Sequence, residues 1–207
     1  MLIMKKTLLL VLLLLIVSFS EISAQGIFFG VSGGVTSVTG PEAYTKDISS
    51  GGAGFSTDNH FGILSKLHFP ISPITPVISF TYHALRGNSS GTETSQNIFS
   101  IGTSLQFTLT AGKISPYISL DGSYNFFGKF KINNPPPSYT FDTSPSSATA
   151  LSSKNRFGGG VGLGADLNFI RNIDIDLSIR YSIMNMLGAA NSEDNIDFVT
   201  FNAAILF

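Results

Sequence analysis

Asp174-Ile175-Asp176-Leu177-Ser178-Ile179-Arg180-Tyr181-Ser182-Ile183-Met184 is written in strict alternation. Ile175, Leu177, Ile179, Tyr181 and Ile183 fall on one face, and Asp174, Asp176, Ser178, Arg180 and Ser182 on the other. Side chains of an extended chain point alternately to the two sides, so this pattern marks a strand with one apolar face. The same grammar runs outward in both directions. Val161, Leu163, Ala165, Leu167 and Phe169 alternate with Gly160, Gly162, Gly164, Asp166 and Asn168. Ile118, Leu120, Tyr124 and Phe126 alternate with Ser119, Asp121, Ser123 and Asn125, and Phe99 to Leu109 behaves likewise. About eight strands result, at 26–38, 55–69, 77–87, 96–110, 116–129, 155–169, 173–186 and 196–207, each long enough for a tilted membrane crossing.

The connections alternate in length. Short turns are expected at Pro70–Pro76, Ala111–Ser115 and Ile170–Asn172. Long polar loops are expected at Thr39–Gly54, Gly87–Ser95, Lys131–Lys154 and Leu187–Asn195. Short turns on one side and long loops on the other are the habit of bacterial outer-membrane barrels, and an even strand count places both termini in the periplasm.

Alternation alone does not say which face is outside. A soluble lipid-carrying barrel keeps its apolar face inside, and a membrane barrel reverses it. The polar face decides. It is mostly Ser, Thr, Gly, Asn and Gln, poor material for a solvated exterior, and charged residues make up only 12% of the chain against roughly 25% in soluble domains. The apolar faces carry no charge at any strand centre, as lipid requires. Tyr82, Tyr117, Tyr124, Tyr181 and several Phe are expected in the interfacial girdles. The fold class is therefore all-β, a closed antiparallel transmembrane barrel of about eight strands.

The N-terminus reads as an export signal. Lys5 and Lys6 precede the apolar run Leu8–Val17, and Ile22-Ser23-Ala24 resembles a signal-peptidase site. Residues 1–24 are thus the expected signal peptide and 25–207 the barrel. There is no Cys, which excludes a lipoprotein and a disulfide framework. The remainder carries ten basic and twelve acidic residues, with no basic excess to suggest nucleic acid.

These features resemble the outer-membrane protein β-barrel domain family, the OmpA/OmpX-like eight-stranded barrels. The resemblance rests on the signal ending Ser23-Ala24-Gln25, of a Bacteroidota type, on the Gly-rich strand Phe157–Leu167, and on the terminal strand closing at Phe207. It covers residues 25–207. It implies residence in the outer membrane among its lipids. It also implies that the last strand, through Phe201, Ile205 and Phe207, is read by the barrel-assembly machinery, although Ala203 and Ala204 stand where a Gly is common. The activities of that family range from anchors to adhesins and narrow pores.

Chemistry-bearing motifs are few. Gly160-Val161-Gly162-Leu163-Gly164-Ala165 has dinucleotide-loop spacing, but it sits inside a strand pattern rather than between a strand and a helix. Small residues there make room in a tight lumen. Lys66, His68, Asp121, Asp166, Asp176 and Arg180 all project to the polar face and are the candidate ion-pair plug of the lumen, since buried charges must be paired or solvated. The competing role for them is a gate or selectivity site. His60, His68 and His83 lack metal-ligand spacing, and none has a Ser two positions on. His83 with Ser79 or Thr81 is the remaining geometry for a lipid-modifying enzyme. No catalytic, cofactor or metal residues are assigned. The Pro- and Ser-rich loop 131–154 is the candidate contact for a surface ligand. The leading expectation is a non-enzymatic barrel with a structural or surface-interaction role, ahead of a narrow porin-like channel and a lipid-modifying enzyme.

Overall fold

The computed structural model describes residues 26–69, 72–89, 91–135, 151–170, 173–189 and 193–207. The expected signal peptide lies outside them. The strands in chain order are β1 (Gly26–Gly40), β2 (Thr57–His68), β3 (Ile74–Ser89), β4 (Thr92–Thr108), β5 (Ile114–Phe127), the short β6 (Lys131–Asn133), β7 (Asn155–Ile170), β8 (Ile173–Leu187) and β9 (Asp197–Leu206). Each of the eight long strands pairs antiparallel with the next long one, and β1 pairs with β9 from Gly30↔Leu206 to Val38↔Phe198, closing the barrel. Closure satisfies every strand edge, which lipid demands.

Faces follow the alternation. Outward residues such as Phe29, Ile63, Phe80, Leu105, Leu120, Leu163, Ile179 and Phe201 are exposed and apolar. On β4 the outward apolar run extends from Phe99 to Leu109. Ten steps of about 3.4 Å, at a tilt of about 45°, span about 24 Å, the height of an outer-membrane apolar band. At one end of that band the aromatic rings form an arc. Phe61 meets Tyr82 at 5.1 Å, Phe99 meets Phe126 at 5.9 Å, and Tyr124 meets both Phe126 and Phe157, at 4.8 and 4.7 Å.

Several expectations need correction. Gly87–Ser95 is not a long loop: β3 and β4 continue in register to Ser89↔Thr92, leaving a two-residue turn that contains Gly91 at φ +83°. Beyond the apolar band both sheet faces turn polar (Arg86 and Asn97 outward, Thr94 and Gln96 inward), so the apolar signal ends before the strands do. Thr39–Gly54 is not a polar loop. It carries a one-turn helix α1 (Glu42–Thr45) and a 3-10 turn (Ile48–Ser50), and it buries Tyr44, Ile48 and Ala53, with Phe55 just after them. The segment 131–154 opens with β6, which pairs with β4 at Glu93–Ser95, and 136–150 lies outside the described residues. Finally, Tyr117 is not a girdle residue. It points into the lumen, 2% exposed.

Candidate functional site

The lumen is filled in layers. At the end where Gly26 and Phe207 lie, Lys66 of β2 reaches across to Asp166 of β7 and to Asp176 of β8, the latter at 2.6 Å. Lys66 is 3% exposed and Asp176 1%. The Tyr117 hydroxyl donates to both Asp176 carboxylate oxygens at 2.8 and 2.9 Å, and Gln106 Nε2 donates to Oδ2 at 3.5 Å. The Lys66 ammonium also lies 5.3 Å from the centre of the Tyr117 ring. A buried charge is tolerated only when paired and hydrogen-bonded, and here the cation has two anions and a ring. Beside this ionic floor, Leu64, Val77, Ala204 and Leu206 pack as a small apolar cluster with Phe28.

The glycines of β7 make this packing possible. Gly158, Gly160, Gly162 and Gly164 all face inward, and a Cβ on Gly162 would meet Ser119 Oγ at 2.6 Å and Arg180 Cγ at 2.8 Å. A Cβ on Gly164 would collide with Cζ and the hydroxyl of Tyr117. The Gly stripe is thus the trough that receives Tyr117 and Arg180. It lies wholly within a strand, which removes the dinucleotide-loop geometry.

Above the floor, Arg180 faces Asp121 at 3.5 Å, and Ser119 donates to Asp121 at 3.3 Å. They border a polar chamber of about 110 Å³ whose other walls include Ser32, Ser100, Thr200 and Asn202. That volume suits a few water molecules. His60 and His83, directly opposed across β2 and β3, both turn Nδ1 to the Thr36 hydroxyl, at 2.9 and 3.0 Å. His60 Nε2 meets Asn202 Oδ1 at 3.1 Å, which makes it the donor there. Its Nδ1 then accepts from Thr36, and His83 donates its own Nδ1–H to the same oxygen.

The far mouth is closed by an apolar plug. Val38, Tyr44, Phe55, Leu85, Ile98, Phe127, Met184, Ile196 and Phe198 form one buried cluster. Tyr44 donates to Gln96 Oε1 at 2.7 Å, and burial pushes its hydroxyl well above the usual phenol range, so it remains a donor. At the edge of this plug, Arg156 pairs with Glu193 at 2.6 Å, both fully buried, with the guanidinium 4.5 Å from the centre of the Phe127 ring. Asn185 Nδ2 donates to Glu193 at 3.0 Å, tying the β8–β9 connection to the same centre.

Of the six residues singled out in the sequence, five meet in the lumen, as Lys66–Asp166–Asp176 and Arg180–Asp121. His68 stands exposed at the barrel end, outside both groups. Tyr117 was legible in principle, since it shares parity with Ser115, Ser119 and Asp121. Arg156–Glu193 was not, because Glu193 lies in a loop where alternation says nothing. Phe201, Ile205 and Phe207 all point outward and are exposed. His83 faces the lumen rather than the lipid.

A closed eight-stranded antiparallel barrel with an apolar outside and an ionic inside defines a small outer-membrane barrel. The chain belongs to the outer membrane protein beta-barrel domain family, whose model matches residues 8–206. Among solved structures it is similar to Neisserial surface protein A, at TM-score 0.57 and 15% identity over 88% of this chain and 97% of that one, a likeness of fold. A major outer membrane protein from Thermus thermophilus gives TM-score 0.49 and 11% identity, covering 88% and 100% of the two chains. Outer Membrane Protein W of E. coli gives 0.46 and 19%, covering 88% and 98%. No curated protein matches the chain in sequence.

Proposed function

We propose that this protein is a non-conducting, non-enzymatic outer-membrane barrel whose role is structural or exercised through surface contacts of its loops. The observation that carries the reading is that two unlike packed layers fill one narrow lumen. The ionic floor of Lys66, Asp166, Asp176 and Tyr117 closes one end, and the apolar plug around Tyr44, Phe55 and Phe198 closes the other. An eight-stranded barrel is just wide enough for side chains to fill it. In this reading the termini are periplasmic and the capped mouth, with the candidate contact loop 131–154, faces outward. The strand bearing Phe201, Ile205 and Phe207 serves the barrel-assembly machinery. His83 is spent on Thr36 inside the lumen, away from any lipid a modifying enzyme would attack.

The polar chamber between the seals supports the porin-like alternative. Across the chamber and the floor together, Lys66 and Arg180 face three carboxylates, Asp121, Asp166 and Asp176, so an opened lumen would favour cations. Liposome swelling separates the two. Vesicles carrying the purified protein stay unswollen in small sugars and amino acids if the seals hold. Swelling at rates that depend on solute size would establish the porin reading instead.

A further inference from the structure

The charges around the capped rim are not evenly spread. Lys129, Lys131 and Lys154 are all exposed and gather where β4, β5 and β7 emerge. Lys131 pairs with Ser95 of β4, Gly128 N–H donates to Asn97 O at 2.8 Å, and Lys154 O accepts from Phe127 N–H at 3.4 Å. None of the three has a carboxylate partner among the described residues. Lys46, by contrast, lies 3.9 Å from Glu42, and on β3 the backbone N–H of Arg86, rather than its guanidinium, donates to Asp58 Oδ2 at 2.9 Å. Among the described residues, the acids of the basic sector are Glu93, opposite Asn133, and Glu193, which is fully buried against Arg156.

The basic sector stands directly above the aromatic arc. Ser95 lies four residues beyond Phe99, so Lys131 sits about 13 Å along the strand and about 10 Å in height above that ring. Lys154 adjoins Asn155, whose cross-strand partner is Phe126. Aromatic rings of a membrane barrel mark the lipid–water boundary. Lysines one to four residues above it hold their ammonium groups at headgroup depth, with their stems running back toward the rings.

We propose that Lys129, Lys131 and Lys154, with the arc of Tyr124, Phe126 and Phe157 beneath them, form a binding surface for the phosphate groups of an outer-leaflet lipid. Three cations with no carboxylate partner among the described residues complement phosphate charge at headgroup depth, and the rings beneath complement acyl chains. This depth, rather than the charge alone, selects a lipid over a soluble polyanion. The proposal rests on the outward orientation of the capped mouth.

The test is native mass spectrometry of the purified protein with diphosphoryl lipid A, with its dephosphorylated form, and with a soluble sulfated oligosaccharide. The unaltered protein should retain the diphosphoryl form in preference to the others. Lys129→Gln/Lys131→Gln/Lys154→Gln should bind it roughly ten- to a hundred-fold more weakly, because each lysine near an anionic surface strengthens binding about five-fold before screening. Lys113→Gln, at the opposite end, should change nothing. Equal affinity of the triple variant, or equal retention of the oligosaccharide, would overturn the proposal while leaving the sealed-barrel reading intact. Lys131→Cys should be labelled in intact cells by a membrane-impermeant maleimide. Its protection would overturn the orientation, and the outer-leaflet assignment with it.

Discussion

Lys66→Met removes the cation of the ionic floor while keeping most of its stem volume. Lys66 is 3% exposed and holds Asp166 and Asp176, themselves 15% and 1% exposed. Breaking a buried pair from one side costs about 3–5 kcal/mol, because the remaining charge is left uncompensated. The ring contact with Tyr117 contributes about 0.5–2 kcal/mol more. Against this, Tyr117 and Gln106 still donate to Asp176, so a loss of about 3 kcal/mol is expected. Adding Asp166→Asn and Asp176→Asn removes the stranded charges, and the neutral triple should regain at least half of that loss, since neutral packing often matches a buried ion pair. The chain has no Trp, so urea unfolding in lipid vesicles is followed by far-UV circular dichroism and the heat-shifted gel mobility of the folded barrel. A single variant within about 0.5 kcal/mol of the unaltered protein, the range of ordinary surface substitutions, would refute the buried-pair reasoning. So would a neutral triple less stable than the single.

Further outcomes follow from the other layers. Gly164→Leu places side-chain atoms where the Tyr117 ring lies, so refolding yield should fall and stability drop by about 1–3 kcal/mol or more. Tyr117→Ala in the same chain should restore part of it, as read by the same urea titration. Glu193→Ala removes the carboxylate that lies 2.6 Å from the buried Arg156 guanidinium, and the loss, up to about 3–5 kcal/mol, should appear as faster protease cleavage of the capped mouth in intact barrels. Tyr44→Ala removes a fully buried ring from the plug and its bond to Gln96. It should destabilise by about 3–5 kcal/mol, and hydrogen exchange should rise in the 41–56 cap more than in the strands.

The barrel was legible because one physical signal repeats. Period two fixes which residues share a face, and lipid on one side leaves that face free of charge, so Ile175 to Ile183 already separate outside from inside. The same parity places Asp166, Asp176 and Lys66 in one lumen. It does not say that they meet, because meeting depends on the strand stagger that brings β2 across to β7 and β8. The signal fails where lipid ends. Beyond the band, Gly87 to Ser95 read as a loop although they belong to a hairpin, since neither face need be apolar there. The cap was misread for a related reason. Tyr44, Ile48 and Phe55 are spaced irregularly in a segment otherwise rich in Gly, Ser and charge, and only the width of the mouth shows that they fill it. Arg156 carried a parity clue, but its partner Glu193 comes from an irregular segment that no periodicity governs.

Single-channel recording in a planar bilayer tests the central claim most directly, after a heat-shift gel has shown the inserted protein to be folded. A sealed lumen gives no defined unitary openings from the unaltered protein, and steps that favour cations only when Lys66→Ala is combined with Tyr44→Ala, which breach both seals. Steady, reproducible openings of the unaltered barrel would contradict the account and make the lumen a working pore.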